Sequence, residues 1–171
     1  MRRKRNNPDM SKKPVDRSGA AVRFPPPLIP LLVVLIGAGL DYVWPLGVGI
    51  DLPTPGRYWA GGFIVAGAML TLGLWPVMMF KRSDQSVIPW TETPSILIRG
   101  PYRFTRNPMY LQMVLVCIGF TIILANGWIL GMTPVCAWLL YHLAIRHEEA
   151  YLEEKFGESY RAYKRAVRRW I

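Results

Sequence analysis

The chain has 171 residues, 51% of them hydrophobic and 19% charged, with a formal net charge of +10. That length favours one domain, and the apolar content excludes a disordered chain, which could not bury enough surface to offset its entropy. Cys117 and Cys136 both fall inside apolar runs, which excludes a disulfide framework, and a total of 2 histidines excludes a His-rich metal centre.

Residues 1–27 hold eight Lys and Arg and read as a disordered basic segment. Its role would be a topological anchor, with attraction to anionic lipid of about 1 kcal/mol per basic residue. A signal peptide also has a basic head, an apolar run and small residues such as Gly37-Ala38-Gly39. Pro25, Pro26, Pro27 and the apolar residues beyond Gly39 argue against one. The first apolar run, 28–44, is interrupted only by Asp41 and stops before Pro45, and the second, 59–80, has no charge. Gly61, Gly62, Ala66 and Gly67 in the second run allow close helix approach. Runs 109–125 and 128–144 are separated by Asn126-Gly127, a turn dipeptide. A membrane span needs about 20 residues, with about 17 as the lower limit.

These runs predict an all-α integral membrane protein with four transmembrane helices, the last two a short hairpin. An amphipathic C-terminal helix over 145–171 follows on the cytoplasmic side, and 28–171 form a single domain. Twenty of 21 basic residues fall on one side of that layout, Arg57 being the exception. By the positive-inside rule that side, with both termini, is cytoplasmic. A nucleic-acid partner is excluded because no folded basic domain remains once the spans are removed. The partner expected is the lipid bilayer.

The connection 81–108 carries Pro89, Pro94, Pro101 and Pro108, the aromatics Trp90, Tyr102 and Phe104, and Arg99, Arg103 and Arg106. Ser95-Ile96-Leu97-Ile98 is apolar enough to lie against the bundle. Asn107-Pro108 reads as a helix start, with Asn as N-cap and Pro in the first turn. A helix N-terminus also offers free N–H groups to an anion.

In the tail, Glu148, Leu152, Phe156, Tyr160, Tyr163, Val167 and Trp170 recur at helical period. The opposite face carries Lys155, Arg161, Lys164, Arg165, Arg168 and Arg169, as on a helix lying on an anionic surface. Gly157 is the place where this helix would bend or divide. Glu148 is an acid on the apolar stripe, with Glu149 off its centre. Such a carboxylate is costly unless paired. An ion pair with Arg103, Arg106 or Arg146 and a cationic ligand both answer that need. Metal motifs are incomplete: His142 and His147 have no third histidine beside them, and His147-Glu148-Glu149 lacks the second histidine of a zinc-protease helix.

Two blocks carry a resemblance. Gly100-Pro101-Tyr102-Arg103-Phe104-Thr105-Arg106-Asn107-Pro108-Met109-Tyr110 precedes the helical hairpin. The second block, His147-Glu148-Glu149 with Leu152, Phe156-Gly157, Tyr160 and Tyr163, follows it. In this order they resemble the isoprenylcysteine carboxyl methyltransferase family and related small membrane phospholipid methyltransferases, over about 94–170. The resemblance implies S-adenosylmethionine as methyl donor. It also implies a cytoplasmic pocket that includes Pro94, Ser95, Ile96, Leu97, Tyr102, Asn107, Pro108, Met109 and Tyr110, with Glu148 as the acid contacting the cofactor. Asn107 stands where the eukaryotic enzymes carry histidine, and Ala144 where they carry a substrate-side arginine, with Arg146 half a turn away.

The implied reaction is methyl transfer to a lipophilic or prenylated substrate. A carboxylate acceptor needs only orientation by Arg106 or Arg146. An amine must first lose a proton, to Glu148 or Glu149 if burial raises the acid's pKa. Arg106, Arg146 and Glu149 are therefore the expected catalytic residues. A non-catalytic membrane anchor that binds lipid or a partner is the alternative, and a sterol-reductase-like oxidoreductase a more distant one.

Overall fold

The computed structural model describes residues 24–47, 52–82, 96 and 98–171, and these are all-helical apart from turns and one isolated bridge. Helix α1, Leu28–Val43, starts directly after Pro25, Pro26 and Pro27, whose carbonyls accept from Leu28, Ile29 and Leu31. Asp41, the lone acid of this apolar run, accepts from the Leu46 backbone N–H at 3.0 Å. It thereby fixes the turn that leaves α1.

A continuous helix spans Thr54–Arg82. It comprises α2 (Thr54–Ala68), a π-helical turn (Met69–Leu74) and α3 (Trp75–Arg82). The wide turn sits just before Pro76, which has no N–H to donate and whose ring crowds the preceding turn of a regular helix. The helix starts earlier than the apolar run suggests, because Pro53 and Pro55 organise its first turn.

Helix α4, Pro108–Leu124, ends on Ala125 in the left-handed region, with φ 50°. Asn126 then caps α5, Gly127–Leu140. Its Oδ1 accepts from Ile129 N–H at 3.0 Å and its Nδ2 donates to the Gly37 carbonyl at 3.1 Å. The turn dipeptide thus ties the hairpin to α1 while remaining buried. Gly127 is required at this point: a Cβ there would lie 2.4 Å from the Leu46 carbonyl oxygen.

From α5 the helix continues through a second π-turn (Tyr141–Ile145) into α6 (Arg146–Phe156), so Gly127–Phe156 is one unbroken rod of 30 residues. The tail is not a single helix to residue 171. Gly157, at φ 54°, separates α6 from α7 (Glu158–Ala166), and the chain leaves the helix at Val167, whose backbone is extended. A residue with a Cβ adopts that positive φ only with strain.

The bundle packs α2 on α4, α1 on α5, and α4 on α5. Backbones approach closely where glycine permits it. A Cβ on Gly61 would meet the Gly119 carbonyl oxygen at 2.6 Å, and one on Gly37 the Ile129 side chain at 2.5 Å. Ile29, Val33, Cys117, Ile129, Cys136 and Leu140 fill the centre. Thr121 and Thr133, buried among them, donate to carbonyls four residues back, which satisfies their hydroxyls without water. Leu31, Leu35, Trp59 and Phe63 face outward, the last two about four-fifths exposed. Among the described residues Thr54–Arg82 and Gly127–Phe156 are long and apolar enough to cross a membrane, whereas Leu28–Val43 and Pro108–Leu124 are shorter apolar helices.

Candidate active site

The two sequence blocks meet at the end of the bundle where α4 begins and α6 leaves. Gly100–Arg103 form a 3-10 turn held by Gly100 at φ +58° against Met79 and Trp75 of α3. Tyr102 packs edge-on to Phe80, and its carbonyl accepts from the Tyr163 hydroxyl of α7 at 2.7 Å. The C-terminal residues then close on the same loop. The Arg106 N–H donates to the Arg168 carbonyl at 2.9 Å, and the Thr105 hydroxyl to the Arg169 carbonyl at 2.9 Å. The Asn107 side chain donates to that second carbonyl at 3.4 Å. Asn107 is therefore the N-cap residue of α4 by position, while its side chain is engaged with the C-terminal segment and caps nothing.

Glu148 and Glu149 have different surroundings. Glu148 accepts a 2.5 Å hydrogen bond from the Tyr110 hydroxyl, and its charge also reaches Tyr102. It has no ion pair among the described residues. Burial pushes its pKa up to about 7, with a further rise from the neighbouring Glu149 charge, against the lowering effect of the Tyr110 hydrogen bond.

Glu149 is also buried, at 6% exposure. Arg169 grips it through both oxygens, at 3.0 and 2.9 Å, and the Arg106 guanidinium lies 3.3 Å away. Burial alone would raise its pKa, but the Arg169 hydrogen bonds and the charges of Arg106 and Arg169 outweigh this and hold it below the ordinary carboxylate value. Of the two answers open for Glu148, the ion pair is found on Glu149 instead.

Of the other expected site residues, Pro108 and Tyr110 are buried in the first turn of α4 and Met109 is half-buried there. Ile96 packs on Tyr160, Tyr163 and Val167. Pro94, Ser95 and Leu97 lie outside the described residues. Arg106 joins Glu149, while Arg146 and Arg103 are exposed and neither is ion-paired with the two acids. The position of Arg169 was not expected. Counted at helical period it falls on the outer face, but the helix ends at Ala166, and the non-helical chain beyond brings it back over the Tyr141 ring at 4.7 Å.

A family model described as phospholipid methyltransferase matches residues 57–159. The chain belongs to that family. The matched span runs from α2 into α7 and includes Tyr102, Arg106, Tyr110, Glu148 and Glu149, whereas Arg169 lies beyond it. The chain is also similar to an uncharacterized protein of Haemophilus influenzae, 38% identical over 63 residues, which cover 37% of this chain and all of the relative. No solved structure matches. Family and fold together make this a protein of the membrane methyltransferase class, with an all-helical architecture.

Proposed function

We propose that this member of the phospholipid methyltransferase family transfers a methyl group from S-adenosylmethionine to a lipid-like or prenylated acceptor that reaches the site from the bilayer. The observation that carries the reading is Glu148: a carboxylate turned inward, held by Tyr110, beside Tyr102, and lacking a cationic partner among the described residues. A buried acid in that state suits a ligand cation, and the donor is both a sulfonium and an ammonium. When bound, it would supply an electrophilic methyl group that passes in line to the acceptor, the S–CH3 bond breaking as S-adenosylhomocysteine leaves as a neutral thioether.

The work left to the chain is binding and orientation, which suffice for such a displacement when the partners are aligned. Tyr102 and Tyr110 offer ring faces to positive charge, and Glu148 fixes one end of the donor. With a carboxylate acceptor no proton has to move. With an amine acceptor one does, and a carboxylate not occupied by the donor's positive charge has to receive it. Isoprenylcysteine-type carboxylates and phospholipid amines are the two acceptor classes. Incubation of the purified protein in lipid nanodiscs with methyl-labelled donor tests the activity. Label should appear in the organic phase with wild type, and its absence with every lipid and prenylcysteine acceptor tried would count against catalysis.

The layout we propose in the membrane has four crossings, with α1 and α4 as the short ones, and the site on the cytoplasmic side with both termini. It is supported by the 20 of 21 basic residues on that side. A cysteine introduced at Leu52 should label in intact cells, whereas one at Ile171 should label only after permeabilisation. The opposite pattern would invert the protein.

A further inference from the structure

One carboxylate here faces two guanidinium groups. Arg169 satisfies both oxygens of Glu149, through Nε to Oε1 and Nη2 to Oε2. Arg106 approaches the same acid only at 3.3 Å through Nη1, outside hydrogen-bonding geometry. Its side chain is 9% exposed, and neither Nε nor Nη1 has a hydrogen-bond acceptor among the described residues. The charge of this guanidinium reaches the Tyr160 and Tyr163 hydroxyls. Lys164 adds another positive charge near Glu149, although it is itself paired with Glu153 at 2.8 Å. The cluster of Arg106, Arg169 and Glu149 therefore holds one uncompensated positive charge.

A buried guanidinium with idle donors is disfavoured, because it has given up its hydrogen bonds to water without replacing them. Native structures avoid such groups unless something else fills them. Arginine's planar fork matches carboxylate and phosphate oxygens, and a neutral water would leave the charge unbalanced. The first turn of α4, two residues on, has no side-chain cap, since Asn107 is bonded to the Arg169 carbonyl. Its backbone N–H groups and positive end add to the attraction for an anion.

We propose that Arg106 is a subsite for the anionic group, a carboxylate or a phosphate, of a molecule bound at this end of the bundle, and that Arg169 frees it by neutralising Glu149. The proposal rests on the methyltransferase reading only for one of its two sources of that anion, the amino-acid carboxylate of the donor. The other source is a lipid headgroup phosphate.

The test compares wild type with Arg106→Gln and Arg106→Lys as full-length protein in detergent. Three probes are titrated: S-adenosylhomocysteine, 5′-methylthioadenosine (which lacks the amino acid), and short-chain phosphatidylglycerol. Lysine keeps a charge for Glu149 and should preserve the fold, but it lacks the fork. If the donor supplies the anion, both variants lose roughly tenfold or more in affinity for S-adenosylhomocysteine and none for methylthioadenosine. If a lipid supplies it, the loss appears with phosphatidylglycerol alone. If wild type binds neither nucleoside, the donor reading fails and the lipid arm alone decides the subsite. Unchanged affinities for all three probes in Arg106→Lys would overturn the proposal. So would an Arg106→Gln protein that, without ligand, is destabilised as much as Glu149→Gln, because the guanidinium would then serve only its neighbour.

Discussion

Glu149→Gln should cost about 3 kcal/mol of stability, near the low end for breaking a buried ion pair. The glutamine keeps the shape but removes the charge that Arg169 grips at 3.0 and 2.9 Å and that Arg106 faces at 3.3 Å. Arg106 is then left as an uncompensated charge inside the protein. Arg169, at 34% side-chain exposure, recovers part of its loss from water, which is why the upper end of the range is not expected. The loss should also loosen the C-terminal residues, whose backbone carbonyls hold Arg106, Thr105 and Asn107. Thermal unfolding in detergent measures it, and a midpoint equal to wild type would show that the cluster contributes nothing. The pH dependence has a fixed sign. The pKa of Glu149 is depressed in the fold, so its contribution is present above the ordinary carboxylate value and disappears as pH falls through the depressed one.

Glu148→Gln should do the reverse. The Tyr110 hydroxyl can still donate to the glutamine oxygen, and no arginine depends on the lost charge, so the ligand-free protein should keep its stability. Donor affinity should fall by about 1.5–3 kcal/mol, the size of a hydrogen bond to a charged group. The pH dependence of the wild type is opposite in sign to that at Glu149. The folded pKa of Glu148 is raised to about 7, so its contribution to stability is present below the ordinary value of 4.5 and is lost as pH rises through about 7. A cationic ligand that requires the ionised form must therefore bind more tightly as pH rises through the same region and release a proton below it. Titrations at about pH 6 and about pH 8 in buffers of different ionisation enthalpy read that proton directly. Glu148→Gln should abolish both the release and the pH dependence, and a variant that retains them would place the titrating group elsewhere.

The contrast between these neighbouring acids also marks how far the sequence could be read. The helical stripe singled out Glu148, because one acid among apolar residues at period 3.6 is visible without a structure. The burial of Glu149 depends on chain reversal. Gly157 at φ 54° ends α6, α7 folds back, and the non-helical residues after Ala166 carry Arg169 over Tyr141. A periodicity that treats 145–171 as one helix puts Arg169 on the solvent side, so both the partner and the burial of Glu149 were missed. The break at Val167 in an otherwise basic tail was the available signal. The bundle was easier, since charge-free runs and Asn126-Gly127 mark helices and turn by local chemistry alone. The π-turn before Pro76 was marked only by the proline, and the ties from Asn126 to Gly37 and from Arg169 to Thr105 join residues far apart in the chain.

Calorimetric titration of S-adenosylhomocysteine into the full-length, monodisperse protein is the decisive measurement. Binding should saturate at one site per chain. At about a hundred times the dissociation constant the ligand should stabilise the fold by about 2.7 kcal/mol, and Glu148→Gln should weaken it while leaving the ligand-free protein intact. No heat and no thermal shift at millimolar ligand would contradict a donor site between α4, α6 and α7.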